Sequence, residues 1–246
     1  MKPLALVLIT AVVAVAAGAA DADDRAPTAG EAAVIAKFKT VINHTLDDLG
    51  AASGLQERDL NRQDIPPDGQ VYGSDDGQFI FYGDISRFYE GAPVDNSARM
   101  QALATRLQAA RDSASQQKII AEIQALGADG QNEPAHLLIN SSHNVPYFAI
   151  DGDEPRALDH LPPGTCAAYE VKAAMVANAR AYNLEFCDPA AFKRDDASGF
   201  TRYHFAHNDG SAHIEDIEIH IEGTPDIVDA LLKDYDWTQV RKALTE

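Results

Sequence analysis

Cysteine is nearly absent: Cys166 and Cys187 are the whole thiol inventory of 246 residues. Two thiols without a Cys-x-x-Cys pairing make at most half of a structural zinc site. A zinc-deaminase pattern also fails, because Ala168 and Ala190 stand where its Glu and last Cys belong. Cations are scarce as well, with 20 Lys and Arg against 38 Asp and Glu and a net charge of −18. That balance excludes a nucleic-acid binder, which needs clustered cations to neutralise phosphates. It also disfavours docking on anionic lipid. Beyond residue 20 no apolar run approaches the about 20 residues that span a bilayer. Walker, Gly-x-Gly-x-x-Gly and Gly-x-Ser-x-Gly signatures are all missing, so no nucleotide cofactor or hydrolase elbow is implied.

What is present begins with an address. Met1-Lys2 precedes an apolar run from Leu4 to Ala17, then small residues Gly18-Ala19-Ala20 and the acidic Asp21-Ala22-Asp23-Asp24. This is the layout of a secretory signal peptide over residues 1–20, cleaved after Ala20. A polar leader (21–27) and a single α+β domain over 28–246 are expected to follow. Within that domain, residues 28–130 read as mainly helical and 131–246 as mixed. A chain of this size buries enough surface to fold without staples. After cleavage no membrane insertion is expected.

Thr28-Ala-Gly-Glu31 matches a capping box. Val34, Ile35, Phe38, Val41, Ile42, Leu46 and Leu49 follow at helical spacing, and Gly50 is expected to end the helix. Val71-Tyr72 and Phe79 to Tyr82 flank Gly73 to Gly77 as a β-hairpin, with the second strand, apolar on both faces, placed inside a sheet. Met100, Leu103, Leu107 and Ala110 mark one helix. Ser113 and Gln116 could cap another carrying Ile119, Ile120, Ile123 and Leu126, with Gly127 as its C-cap. His136 to Asn140 and Val145 to Ile150 read as strands, with a turn over Asn140 to Asn144. Thr201 to Ala206 and Ile214 to Ile221 read as a hairpin around Asn208-Asp209-Gly210. Thr224-Pro225 opens a last helix, sealed by Trp237 and Val240. Helices and hairpins in separate blocks indicate α+β, an antiparallel sheet packed with amphipathic helices.

In an oxidising compartment an even cysteine count suggests a Cys166–Cys187 disulfide. The Ala-rich stretch after Thr165 reads as a helix along Val171, Met175, Ala179 and Tyr182. From Cys166 to Tyr182 such a helix would be about 24 Å long, and five further residues return at most about 17 Å. Bonded cysteines need Cα atoms within about 7 Å. The bond therefore requires the helix to stop near Asn178, with Tyr182 to Cys187 doubling back as a strand.

Chemistry concentrates near the C-terminus, where His204, His207, His213 and His220 sit among Glu215, Asp216, Glu218 and Glu222. Imidazole and carboxylate suit a divalent ion, and Glu218, His220 and Glu222 share one strand face opposite Ile217, Ile219 and Ile221. The plainer reading, a solvated sheet face, is the expectation, and the rival is a metal set of His204, His220, Glu218 and Glu222. Asp151-Gly-Asp153-Glu154 fails as a calcium loop at Pro155 and Arg156. Ser141, Ser142 and His143, with Asp151 or Asp153, offer the residue types of a triad. Asn43-His-Thr45 and Asn140-Ser-Ser142 are formal glycosylation sequons. The leading expectation is an exported, non-catalytic protein that binds a protein or small molecule, a cationic one among the options, with no cofactor; a divalent ion belongs to the rival reading. The rival class is an exported hydrolase or divalent-metal enzyme using the C-terminal histidines.

Overall fold

The computed structural model describes residues 25–58, 62–66, 71–73, 79–81, 83–92, 97–128, 134–144, 147–148, 156–174, 179–190, 192–195, 200–203, 205–207 and 211–245. The expected signal segment, His204, Asn208 to Gly210, and Asp151 to Asp153 lie outside these residues.

Helix α1 (Ala29–Ser53) begins with the expected reciprocal cap: Glu31 accepts from Thr28 N at 2.6 Å, and Glu31 N donates to Thr28 Oγ1. Arg25 reaches the same carboxylate at 2.5 Å and, with this cap, holds it down to about 2. The helix does not stop at Gly50. It runs one more turn to Gly54, whose φ of +71° supplies the left-handed cap. Gly50 instead marks a close approach, since a Cβ there would lie 2.1 Å from the Tyr89 ring.

The main sheet has seven strands: β1 (Gln56–Glu57), β4 (Ile85–Glu90), β5 (His136–His143), β7 (Arg156–Ala157), β8 (Ala167–Val171), β9 (Arg180–Phe186) and β12 (Ile217–Gly223). Their order is β1-β4-β5-β12-β9-β8-β7, antiparallel throughout. Against one face pack α1, α4 (Pro225–Asp234) and a C-terminal 3-10 helix (Trp237–Ala243). The fold is thus α+β, as the blockwise order of elements indicates. Ile217, Ile219 and Ile221 are fully buried on that face, in register with Phe186, Leu184 and Tyr182 of β9. Trp237 and Val240 close the core, as expected.

Two smaller sheets depart from expectation. β2 (Val71–Gly73) and β3 (Phe79–Phe81) pair as the expected hairpin, yet form a two-stranded sheet of their own rather than an interior strand. Burial of Phe79 and Phe81 comes from tertiary packing, with Phe38 of α1 edge-on to Phe81 at 5.6 Å. β6 (Tyr147–Phe148), β10 (Phe192–Asp195) and β11 (Phe200–Tyr203) make a three-stranded sheet in which β11 pairs with β10 and β6. The expected hairpin of Thr201 to Ala206 with Ile214 to Ile221 is therefore wrong. β12 pairs instead with β5 and β9, whose apolar alternation matches its own.

The helix expected after Thr165 is likewise corrected. Ala167–Val171 and Arg180–Phe186 are paired strands, because alternation in Tyr182, Leu184 and Phe186 meets a buried sheet face and outweighs alanine's helix preference. The Cys166–Cys187 disulfide closes the open end of this hairpin at a Cα separation of 5.6 Å, so the bond and a strand return both hold. The turn expected over Asn140 to Asn144 is also displaced, because β5 continues to His143 and only Asn144 leaves extended geometry, at φ 47°. α2 (Ser97–Ala109) and α3 (Ser113–Ala128) are two helices, joined through their own small cluster of Leu103 and Ile119. Asp112, rather than Ser113, caps α3 by accepting from Ser115 N at 2.8 Å, and the helix passes through Gly127.

Candidate functional site

Strand alternation gives the main sheet a second face, and its composition is unlike the first. Register sets Ser142, Glu218, Glu185 and Ala167 in one row across β5, β12, β9 and β8. The next row runs Ser86, Asn140, His220, Asn183 and Tyr169, and a third contains Leu138, Glu222, Ala181 and Val171. Cross-strand neighbours stand about 5 Å apart at Cβ, so Glu218 and Glu185 face each other directly.

This face is not the solvated surface that its polarity suggests. Glu185 is fully buried, and among the described residues neither of its carboxylate oxygens has a hydrogen-bond partner. Burial pushes its pKa well up, with Glu218 and Asp216 adding like charge. Glu218, half-buried, is raised to about 7 by burial, which outweighs the favourable His220 and is reinforced by Asp84. Burial also raises Asp84, which immediately precedes β4. Asn140 Oδ1 is a further buried acceptor without a donor among the described residues. Buried carboxyl and amide oxygens therefore crowd the centre of the face.

His220, in the neighbouring row, is 24% exposed. Its Nδ1 lies 2.7 Å from Asn183 Oδ1, which fixes the proton on Nδ1, and Nε2 lies 3.6 Å from Glu222 Oε2. Glu222 is only 1% exposed and accepts from Ala174 N at 3.0 Å, anchoring the segment after β8. Of the expected metal set, Glu218, His220 and Glu222 share a face as predicted and only His220 and Glu222 approach each other. His204 lies outside the described residues. Among the described residues no three His, Cys, Asp or Glu side chains converge as a metal cage.

The other candidates are dispersed. Alternation sends Ser141 and His143 to the core face and Ser142 to the opposite one, so the three cannot act as a unit. His143 stacks on Phe81 at 3.7 Å and burial lowers its pKa to about 3, leaving a neutral core imidazole. The sequon residue Asn43 lies on α1 and is committed to Arg87 and Asp64, and Asn140 is mid-strand. Arg87 was missed by sequence reasoning: fully buried on the core face, it bonds Asn43, Gln63 O and Ser86 O, with Asp47 and Glu57 within 3.6 Å. Glu185 was missed too, although the alternation of Ala181, Asn183 and Glu185 against Tyr182, Leu184 and Phe186 marks it.

No family model, curated protein or solved structure matches the chain, so any functional reading starts from this face.

Proposed function

We propose that this is an exported, non-catalytic binding protein whose ligand docks on the polar sheet face around Glu218 and His220 and carries positively charged N–H donors. One observation carries the reading: a fully buried Glu185, without a hydrogen-bond partner among the described residues, stands beside the half-buried Glu218 in the same row, with the acceptor Asn140 Oδ1 on the same face. Buried acceptors without donors are costly, and an ammonium group meets both their charge and their hydrogen-bonding need. Export is supported by the layout of residues 1–20 and by the Cys166–Cys187 bond, which persists in oxidising compartments. No described helix is long and apolar enough to cross a membrane.

Isothermal titration of residues 21–246 with putrescine and with lysine amide tests the reading. Saturable binding to either amine, weakened at least tenfold by Glu218→Gln, is expected. Equal affinity in wild type and Glu218→Gln would overturn the assignment of this face.

A further inference from the structure

A second site lies away from the sheet's polar face, in a cleft of about 440 Å³ between the 3-10 helix and the residues leading into β12. That volume is in the range of small-molecule sites. Its lining includes Asp188, His207, Glu215, Arg241, Leu244 and Thr245.

Most polar groups of this lining are held in place and only partly used. Arg241 Nη1 donates to Gly164 O at 3.2 Å and to Cys187 O at 3.0 Å, the latter a residue of the disulfide. Carbonyls anchor the guanidinium without neutralising it, and the edge formed by Nε and Nη2 keeps the fork that a carboxylate accepts. Glu215, by contrast, is spent: it takes N–H groups from Ala206 at 2.6 Å and His207 at 2.7 Å, and orients the His207 ring at 3.2 Å. The stacked His213 ring, 3.7 Å away, fixes that imidazole from the other side. Thr245 Oγ1 accepts from Ile214 N, which leaves its O–H to donate. Asp188 uses Oδ1 for Ala190 N, leaving Oδ2.

Asp188 and Arg241 thus line one cleft with opposite charges, while Lys242, the other cation of the lining, donates to Gln239 Oε1; among the described residues neither Asp188 nor Arg241 has a salt-bridge partner. Opposite charges that line one cleft without pairing fit a ligand that carries both. We infer that the cleft binds a small zwitterion of the amino-acid type, its carboxylate on the Arg241 fork, its ammonium on Asp188 and its apolar part beside Leu244. Free amino acids and short peptides share this chemistry and differ in the distance between their charges.

The test is calorimetric titration of residues 21–246 with L-leucine, L-leucyl-L-leucine, 4-methylpentanoate and 3-methylbutylammonium. Binding of at least one zwitterion is expected, ten- to a hundredfold tighter than either singly charged analogue. Whichever of the two binds more tightly identifies the charge spacing. Asp188→Asn keeps the Oδ1 acceptor for Ala190 and should weaken the zwitterion at least tenfold while sparing 4-methylpentanoate. Arg241→Gln should weaken both. Absence of zwitterion binding in the folded wild-type protein, or 4-methylpentanoate binding as tightly as the zwitterions, would overturn the inference.

Discussion

Glu218 offers the most quantitative test of the sheet-face electrostatics. Its carboxyl is raised from 4.5 to about 7, chiefly by burial. A folded pKa above the unfolded one means that the folded state holds a proton which the unfolded chain releases. The associated stability is fully present below pH 4.5 and is lost as pH rises through 7. At about 1.36 kcal/mol per pH unit, the loss is at most about 3 kcal/mol once pH exceeds 7. Glu218→Gln removes the titration while preserving shape. Urea unfolding, followed through the sole and fully buried Trp237, should find variant and wild type within about 1 kcal/mol of a constant offset near pH 4. The variant should then gain on the wild type by about 2–3 kcal/mol between pH 4 and pH 8. Taking the difference cancels groups remote from Glu218, such as Glu31, whose stabilisation is lost only as pH falls from 4.5 through about 2, and leaves Glu218 together with the Glu185 it faces. A difference that does not change with pH would refute a desolvated Glu218.

Three further outcomes follow from the fold. Reduction of Cys166–Cys187, 21 residues apart, should cost about 3 kcal/mol in the chain-entropy account, read as a shift in urea midpoint with and without reductant. Ile219→Ala should cost about 2–5 kcal/mol as a fully buried core residue; His220→Ala should change stability by less than about 1 kcal/mol, since its one well-formed bond joins half-exposed groups, and should abolish amine binding. Arg87→Ala should cost about 2–5 kcal/mol by emptying the space of a fully buried side chain and removing its bonds to Asn43 and Gln63 O, and Arg87→Lys should not restore the loss, because an ammonium cannot reproduce the planar fork.

Local signals made much of this molecule legible. The Thr28–Glu31 capping box, the apolar stripe of α1 and the alternation of Ile217, Ile219 and Ile221 each follow from residues within a few positions of one another. The spacing that a disulfide demands also exposed the conflict with a long helix after Thr165, and the structure resolves that conflict fully, with strands on both sides. What was not legible is pairing. β12 takes β5 and β9 as neighbours, 74 and 31 residues upstream by the pairs Ile217–His143 and Ile217–Phe186, and nothing local selects them over the nearer Thr201 to Tyr203. The candidate face inherits that non-locality. Glu185 and Glu218 are unremarkable apart and become an acidic pair only through register. Arg87 lies in β4, a strand that no local signal marked, and is buried only because α1 and Gln63 close around it.

The central claim is that a cationic ligand is received by the sheet face. Two-dimensional NMR of residues 21–246 during putrescine titration tests it most directly. The account predicts progressive shifts of the Asn140 and Asn183 side-chain amides and of the His220 ring, saturating together and absent in Glu218→Gln. Shifts confined to exposed surface acids such as Asp47 and Asp226, with Asn140, Asn183 and His220 unmoved, would contradict it.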